Sequence, residues 1–415
     1  MSLTWIVVIA SVVVFLTVIL LLVAVLLYAR KKLVPQGKVQ LEINGEKTLE
    51  VEAGNTLLST LASQKIYLPS ACGGKGSCGL CRCKVTEGGG SILPSEQGFF
   101  SRKEQADNWR LSCQVKLRND IKIDIPPSIF GIKKWECEVV SNRNVATFIK
   151  EFVVKLPEGE NLNFRSGGYI QIDVPACVVD YKNIEVEPAF RSDWDKMKMW
   201  DLKMKNPEPV FRAYSMANHP AEGNRIMLNV RIATPPFDRK KGGFMKVNPG
   251  VCSSYIFSLK PGDKITISGP YGEFFVQDTQ REMMFIGGGA GMAPMRSHIF
   301  DQFESKHTQR KASFWYGGRS KKELFYMDDF EKIQKENPNF SFHVALSEPL
   351  PEDNWTGYTG FIHQVILDNY LKNHPEPEEI EYYLCGPLPM TNAIVKMLEN
   401  LGVPDNMIRF DNFGN

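Results

Sequence analysis

The stretch Cys72-Gly-Gly-Lys-Gly-Ser-Cys78-Gly-Leu-Cys81 decides how the first third of this chain folds. Three cysteines share this glycine-rich loop, and a fourth follows in Arg110-Leu-Ser-Cys113-Gln. Three thiolates in one loop plus a remote fourth indicate the ligand set of a [2Fe–2S] cluster. Glycines allow the loop unusual backbone angles, so that its N–H groups approach the cluster sulfides and stabilise their negative charge.

The alternative for these four cysteines is a zinc site or a set of free thiols. Structural zinc sites usually combine two Cys-x-x-Cys units, whereas Cys113 stands alone. Cys83 lies two residues beyond Cys81 and is predicted to be a bystander in a strand. The loop resembles that of plant-type ferredoxins, although its first gap is one residue longer than the plant pattern.

Length and charge limit the class of protein. A chain of 415 residues is too long for one ordinary domain. The formal charge of +2 gives no electrostatic support for a nucleic-acid partner, and we expect none. Nine cysteines in a chain of this size do not form a disulfide framework, and a thiolate-ligated cluster suits a reducing compartment.

The N-terminal segment predicts a membrane anchor. From Trp5 to Tyr28 only Ser11 and Thr17 are polar, and a helix of that length is about 36 Å long, enough to cross a hydrocarbon core. The alternative is a cleaved signal peptide, but the basic region that should precede the apolar run is missing. The basic residues at 30–32 follow the run and place the bulk of the chain in the cytoplasm. We expect an anchor and linker over residues 1–34.

The sequence pattern over residues 35–130 predicts the iron–sulfur domain. Val39, Leu41 and Ile43 alternate with polar residues, and Asn44-Gly45 predicts the turn of a hairpin. Thr56 is expected to cap a short helix that runs through Ile66. A hairpin, a helix and a metal loop in this order resemble the β-grasp fold of plant-type ferredoxins.

Residues 131–280 predict an all-β barrel, because short strands alternate with Gly/Pro turns. Residues 177–209 are rich in charge and poor in strand signals, so we interpret them as an insertion. That insertion is either a solvated, mobile loop or a docking surface for a partner. Residues 281–415 alternate apolar strands with helical stretches, which predicts a parallel α/β domain. The fold class is therefore multidomain, α+β and α/β, with a single transmembrane helix.

Two motifs in the barrel predict a flavin site. In Arg212-Ala-Tyr214-Ser215, an aromatic ring can stack on isoalloxazine, a hydroxyl can bond its edge and an arginine can neutralise a pyrophosphate. This motif resembles the Arg-x-Tyr-Ser/Thr sequence of the ferredoxin–NADP reductase superfamily. That resemblance also implies a phosphate-binding turn at Gly250, Ser253 and Ser254, and FAD rather than FMN. Without the second motif, Arg-x-Tyr-Ser would also suit an ordinary strand end.

A glycine-rich turn after an apolar strand predicts the nicotinamide site. Small residues in the stretch 287–294 let the backbone approach a pyrophosphate, and a proline suits the first turn of the helix that follows. By resemblance to the same superfamily, the site residues are Gly287, Gly288, Gly289, Gly291, Pro294, Arg319, Cys385, Gly386 and Pro387. The alternative for Cys385 is a small buried residue at a strand end.

The choice between NADH and NADPH is open from the residues alone. Arg319 and its neighbouring lysines could bind a 2′-phosphate, whereas Glu323 suits a free ribose. Resemblance favours NADH. It also implies that an aromatic residue of the C-terminal tail covers the flavin, for which Phe413 is the candidate; the alternative is packing of a chain end. Ser215, Cys385 and Phe413 are thus the expected catalytic residues.

The order of anchor, ferredoxin, flavin barrel and nicotinamide domain resembles the NADH-oxidising subunits of Na⁺-translocating NADH:quinone oxidoreductases. That resemblance implies electron transfer from NADH through FAD and the [2Fe–2S] cluster to other subunits of a bacterial inner-membrane complex, which handles quinone and Na⁺. One alternative is the reductase component of an oxygenase, which normally lacks an anchor. Another is a membrane-tethered ferredoxin module without catalysis, which the intact flavin and nicotinamide motifs oppose.

Overall fold

The computed structural model describes residues 3–33, 37–238, 240 and 242–411. A first helix, α1, extends over Leu3–Leu33. Among the residues described, none of the helices combines the length and the apolarity that a membrane span requires. The chain forms two compact units, one made of residues up to Leu68 together with Gly74–Gly131, the other of Pro69–Gly73 together with Ile132 onward.

The first unit is a mixed sheet with short helices. Its elements are β1 (Lys38–Ile43), β2 (Lys47–Glu52), α2 (Leu57–Ser63), β3 (Arg82–Glu87), α3 (Pro94–Gln97), α4 (Arg102–Ala106), β4 (Trp109–Leu111) and β5 (Ile121–Asp124). The strand order in the described residues is β2-β1-β5-β3-β4. β1 pairs antiparallel with β2 and parallel with β5, which places the hairpin beside the last strand of the unit.

The local predictions for this unit are largely confirmed. Asn44 and Gly45 both have positive φ, as the predicted hairpin turn requires. The Thr56 side chain accepts a hydrogen bond from the Ser59 N–H and caps α2. The helix ends at Ser63, three residues before the expected end at Ile66.

An antiparallel barrel opens the second unit. Its segment contains β6 (Lys133–Ala146), β7 (Ile149–Lys155), β8 (Tyr169–Val174), β9 (Cys177–Asp180), α5 (Pro188–Lys196), β10 (Lys203–Asn206), β11 (Val210–Ser215), β12 (Arg225–Arg231), β13 (Phe237–Asp238), β14 (Gly243–Phe244), α6 (Val251–Ser258) and β15 (Lys264–Tyr271). The main sheet has the order β11-β8-β15-β6-β7-β12. A bridge between Met216 and Leu228 joins its two edge strands and closes the barrel, as predicted.

The segment 177–209 is folded, so its interpretation as a solvated loop is wrong. β9 and β10 pair antiparallel, and α5 lies between them in the chain. Tyr181, Trp194 and Met204 are completely buried in the barrel core. The apolar residues that form this part of the core are spaced among many charged residues. The composition of the segment therefore gave no sign that it is folded. Whether the segment docks a partner stays a prediction.

A parallel sheet follows the barrel. Its elements are β16 (Met283–Gly288), α7 (Met292–Phe300), β17 (Ala312–Gly318), α8 (Met327–Glu336), β18 (Phe340–Leu346), β19 (Tyr358–Thr359), α9 (Ile362–Asn369), β20 (Glu381–Cys385), α10 (Leu388–Asn400) and β21 (Ile408–Phe410). The described strands have the order β19-β18-β17-β16-β20-β21 and run parallel. Separate apolar clusters cover the two faces, as expected of βα units. The carboxyl ends of all these strands lie at one edge.

Trp194 should be a determinant of barrel stability. Its ring is fully buried beside Trp200 and Phe257, and its Nε1 donates to the Thr147 carbonyl at 2.8 Å. We expect Trp194→Ala to lower the free energy of unfolding by about 3–5 kcal/mol because it leaves a large cavity. Val178→Ala in the same segment is the control, since Val178 is 58% exposed and its loss should change stability by less than about 0.5 kcal/mol. Equal effects in chemical denaturation would contradict this assignment.

Candidate flavin, nicotinamide and iron–sulfur sites

The cysteine loop adopts the left-handed backbone that its glycines permit. Gly73, Gly74, Gly76 and Gly79 all have φ between 66° and 83°. A Cβ at Gly76 would lie 2.5 Å from Gln114 Nε2, and one at Gly79 would lie 2.5 Å from Phe99 Cδ1. The loop therefore needs glycine at these positions both for its conformation and for its close packing. Turns that include left-handed residues can form a concavity of successive N–H groups that stabilises an anionic group.

Two of the predicted ligands are in contact. A hydrogen bond between the Cys113 and Cys81 side chains, together with burial, raises the pKa of the Cys81 thiol well above its usual range. Cys78 belongs to the same compact unit, and Cys72 lies in the segment Pro69–Gly73, which groups with the second unit. Within the described residues, no group of three or more His, Cys, Asp and Glu side chains could hold a metal ion.

A buried ion pair supports the strand that leads to Cys113. Arg110 Nη2 contacts Glu96 Oε2 at 2.7 Å, and both side chains are at most 5% exposed. Arg110 also donates to the carbonyls of Gly89 and Gly90, and Glu96 accepts from the Leu111 N–H at 2.8 Å. These contacts fix the backbone two residues before Cys113.

Cys83 lies in β3, outside the glycine-rich loop that holds three of the predicted ligands. It is completely buried in β3, and its thiol lies 3.9 Å from the Arg110 carbonyl. Burial raises the pKa of this thiol to about 12. Its role as a bystander stays a prediction.

The residues of the predicted flavin motif lie at the end of β11. Arg212 and Tyr214 face one side of the strand, because side chains alternate, and Ser215 faces the other. Burial raises the pKa of the Tyr214 phenol well above its usual range, with a smaller contribution from Cys252. Cys252 belongs to the first turn of α6, so the two predicted flavin motifs meet around Tyr214.

The turn that begins α6 is bonded closely to the barrel. The Gly250 N–H donates to the Ala233 carbonyl at 2.8 Å, and a Cβ at Gly250 would lie 2.5 Å from the Ala233 Cβ. Ser253 Oγ accepts from the Ala233 N–H at 3.0 Å. Ser254 is completely buried and donates to the Gly250 carbonyl, while the Tyr181 hydroxyl lies 2.7 Å from it. Both serine hydroxyls are thus engaged within the protein.

Ser215 and Cys385 meet at a residue that the motifs did not predict. Ser215 Oγ donates to Asp411 Oδ2 at 2.5 Å, and the Cys385 thiol lies 3.8 Å from the Asp411 carbonyl. The Asp411 N–H in turn donates to the Leu384 carbonyl of β20. Burial raises the pKa of the Asp411 carboxyl, and the bond from Ser215 partly opposes that shift.

The glycine-rich turn lies at the carboxyl edge of the parallel sheet. It joins β16 to α7 and passes so close to β20 that a Cβ at Gly291 would lie 2.0 Å from the Cys385 carbonyl oxygen. Pro294 is buried in the first turn of α7, and Pro387 caps the N-terminus of α10. The stretches 287–294 and 385–387 therefore lie against each other at the edge where α/β sheets bind ligands.

Two cations after β17, Arg319 and Lys322, are paired with carboxylates. Arg319 Nη2 lies 2.7 Å from Glu348, and Lys322 Nζ lies 3.2 Å from Asp193. Glu323 accepts a hydrogen bond from the Thr147 hydroxyl. Carboxylates thus accompany two of the cations that could bind a 2′-phosphate. The prediction for Phe413 falls outside the described residues.

Three family models match the chain. The 2Fe-2S iron-sulfur cluster binding domain matches residues 41–118, the oxidoreductase FAD-binding domain residues 197–276, and the oxidoreductase NAD-binding domain residues 285–396. The predicted cofactors, a [2Fe–2S] cluster, FAD and NADH, agree with these matches. They define the class of this protein: an NAD-dependent flavin oxidoreductase with an attached iron–sulfur domain.

Proteins of similar sequence identify the family within this class to which the chain belongs. The chain is 56% identical to the F subunit of the Na(+)-translocating NADH-quinone reductase of Neisseria gonorrhoeae over 94% of its length and 95% of that protein. It is 54% identical to the protein of the same name from Pseudomonas aeruginosa, over 94% of each chain. The fold is similar to that of Amycolatopsis cytochrome P450 reductase GcoB, with a TM-score of 0.63, 22% identity and coverage of 90% and 98%. The chain belongs to the family of the F subunits of Na(+)-translocating NADH-quinone reductases.

Sequence reasoning missed two residues, Asp411 and Arg296. Asp411 lies in the same C-terminal stretch as Phe413, and an acidic residue beside an aromatic tail is the signal that the sequence offers. Arg296 follows the glycine-rich turn directly, where a cation in an otherwise apolar helix start could have drawn attention. Only the fold shows which partners these residues have.

The four predicted ligands and Cys83 should behave differently when substituted. We expect single replacements of Cys72, Cys78, Cys81 or Cys113 by alanine to abolish the EPR signal of the reduced cluster, because each removes a thiolate ligand. Cys83→Ala is the matched control and should keep the full signal. A normal signal without Cys113, or loss of the signal on changing Cys83 alone, would overturn the ligand assignment.

Proposed function

We propose that this chain is the NADH-oxidising, electron-input subunit of a membrane NADH–quinone reductase complex. The observation that carries this proposal is the meeting of the flavin strand and the nicotinamide edge at Asp411. Ser215 ends the strand with the flavin motif, and Cys385 ends the strand beside the glycine-rich turn. Both touch the same aspartate, so a flavin and a nicotinamide bound at these motifs would adjoin each other.

The cysteine loop suits an iron–sulfur cluster. We propose Cys72, Cys78, Cys81 and Cys113 as its ligands. The left-handed glycines support this, since they turn N–H groups toward an anionic centre. The contact between Cys81 and Cys113 also supports it, because two thiols that share a buried site are poised to bind a common metal group.

The barrel residues suit FAD. We propose that Tyr214 stacks on the isoalloxazine ring, that Arg212 neutralises the pyrophosphate and that Ser215 bonds the ring edge. The first-turn N–H groups of α6 lack intrahelical partners by the geometry of a helix start, so they can bind phosphate oxygens. Gly250, Ser253 and Ser254 then shape the turn, with the serine hydroxyls holding it to Ala233 and Tyr181.

The carboxyl edge of the parallel sheet suits NADH. We propose that Gly287, Gly288, Gly289, Gly291 and Pro294 bind its pyrophosphate, and that Arg319, Gly386 and Pro387 line the same site. Glu348 pairs with Arg319 and Asp193 pairs with Lys322, so two of the three cations after β17 already have a carboxylate partner. This balance favours NADH over NADPH.

When bound, FAD would supply the chemistry that links the two-electron oxidation of NADH to one-electron reduction of a [2Fe–2S] cluster. Around that chemistry, Asp411 holds the Ser215 hydroxyl in one orientation, because its carboxylate accepts a hydrogen bond from that hydroxyl. The Cys385 thiol stays protonated and uncharged at neutral pH, since burial raises its pKa well above the usual range. Phe413 is proposed to cover the flavin.

A further part of the proposal is that residues 5–28 anchor the chain in the bacterial inner membrane, with the other domains in the cytoplasm. The apolar run from Trp5 to Tyr28 and its exposed side chains, such as Phe15, Leu20 and Leu26, support this. We propose that 35–130, 131–280 and 281–415 are the iron–sulfur, flavin and nicotinamide domains. Other subunits of the complex would then receive the electrons, and quinone reduction and Na⁺ transport would belong to the complex.

The order of electron transfer tests this function. After mixing with NADH, we expect flavin absorbance to bleach first and cluster absorbance to fall second in stopped flow. Cys78→Ala should keep flavin reduction by NADH yet abolish quinone reduction in the membrane complex, with Cys83→Ala as the control. Reduction of the cluster before the flavin, or quinone activity without the cluster, would refute the proposed path.

Membrane orientation can be tested separately. We expect a reporter fused after Asn415 to be active in the cytoplasm, because the basic residues at 30–32 follow the apolar segment. Deletion of residues 1–34 should release a protein that still oxidises NADH with an artificial acceptor. A periplasmic reporter, or a truncated protein that still sediments with membranes, would contradict the anchor.

A further inference from the structure

Buried polar contacts join the segment after the flavin motif to the helix after the nicotinamide turn. Arg296 and Ser297 lie in α7, two and three residues beyond Pro294. Arg296 Nη1 donates to the Ala217 carbonyl at 2.9 Å, and Ser297 Oγ donates to the Asn218 carbonyl at 2.8 Å. Those carbonyls stand two and three residues beyond Ser215. Short, rigid stretches of chain therefore separate these contacts from both motifs.

The guanidinium of Arg296 also forms a two-pronged ion pair. Its Nη1 and Nη2 lie 2.8 Å from the two carboxylate oxygens of Glu222. The side chains are only 7% and 13% exposed, so solvent screens the pair weakly. The planar guanidinium lies 4.2 Å from the ring centroid of Phe300. Two parallel bonds plus a ring contact restrict rotation as well as distance.

The barrel partners of Arg296 are themselves held in place. Glu222 accepts from the His219 N–H at 2.8 Å. The Asn218 side chain donates to the Arg225 carbonyl and accepts from the Met227 N–H, which binds it to β12. Any displacement of α7 would have to break contacts to a rigid part of the barrel.

We infer that Arg296, with Glu222 and Ser297, is a positioning clamp that sets the distance between the nicotinamide turn and the flavin strand. Arg296 touches neither motif and therefore acts through α7 and the segment 216–218. The inference rests on the proposed hydride transfer from NADH to FAD. Such a transfer is sensitive to small displacements, because a misplacement of about 1 Å can reduce a rate by about 100-fold.

Variants of the full-length, FAD-loaded protein test the clamp. Arg296→Gln removes the charge and the two-pronged geometry, Arg296→Lys keeps the charge alone, and Ser297→Ala removes one bond. For Arg296→Gln we expect the limiting rate of flavin reduction at saturating NADH to fall about 10- to 100-fold. Arg296→Lys and Ser297→Ala should give smaller losses. The Kd for NAD⁺ by calorimetry should change less than about 3-fold, because the glycine-rich turn is untouched.

A second readout does not depend on activity. Amide hydrogen exchange should increase in peptides covering 214–219 and 290–299 of Arg296→Gln, because both segments lose a buried contact. The matched control is Arg310→Gln, whose side chain forms a similar buried pair with Glu381 at 2.7 Å. Those two residues lie at the amino ends of β17 and β20, away from the cofactor edge. Arg310→Gln should lower the midpoint of thermal unfolding. It should leave the limiting rate of flavin reduction and the amide hydrogen exchange of residues 214–219 unchanged.

Several results would overturn the clamp. One is a limiting rate of flavin reduction in Arg296→Gln that stays within 2-fold of the unmodified protein. Another is an Arg310→Gln variant that loses as much of this rate as Arg296→Gln does when both lower the midpoint of thermal unfolding equally. If Arg296→Gln fails to fold, an unchanged limiting rate in both Arg296→Lys and Ser297→Ala would refute the clamp. If NADH does not reduce the flavin of the unmodified protein, the proposed function itself fails.

Discussion

The second compact unit depends on the closure of its barrel between β11 and β12. Met216 bridges to Leu228, and the Ala217 N–H donates to the Met227 carbonyl at 2.7 Å. This seam begins one residue after Ser215, so it fixes the end of the strand that carries the flavin motif. The carbonyls of Ala217 and Asn218 then remain for α7. One short stretch of backbone thus closes the barrel, ends the flavin strand and receives the nicotinamide helix.

Buried ion pairs hold backbone segments in place in both units. Arg110 pairs with Glu96 before Cys113, Arg296 with Glu222 after the glycine-rich turn, and Arg310 with Glu381 at the amino ends of the parallel strands. Removal of one partner of such a pair costs about 3–5 kcal/mol, because the other charge is left uncompensated. A hydrophobic pair would stabilise as well, but it would hold its neighbours less specifically. The ion pairs thus fix the position of the backbone segments that they join.

Much of this fold could be predicted from sequence because its signals are local. The Asn44-Gly45 turn, the Thr56 cap and the apolar runs of the parallel sheet each reflect a preference of a few consecutive residues. The cysteine spacing and the Arg-x-Tyr-Ser motif are local in the same sense. The interpretation of residues 177–209 as a solvated loop was wrong, because the buried residues of this segment are scattered among charged ones. Their burial depends on packing against the barrel, which no local pattern reveals.

The residues that sequence reasoning missed are those whose partners are distant in the chain. Ser215 and Asp411 are separated by 196 positions, and Arg296 and Glu222 by 74. Asp411 reaches Ser215 only because β21 pairs in parallel with β20 and delivers the residue after Phe410 to the carboxyl edge. No local pattern marks such a residue, because its position is set by the order of strands. The motifs therefore identify which cofactors a chain of this kind binds, whereas the topology determines which other side chains hold the motifs together.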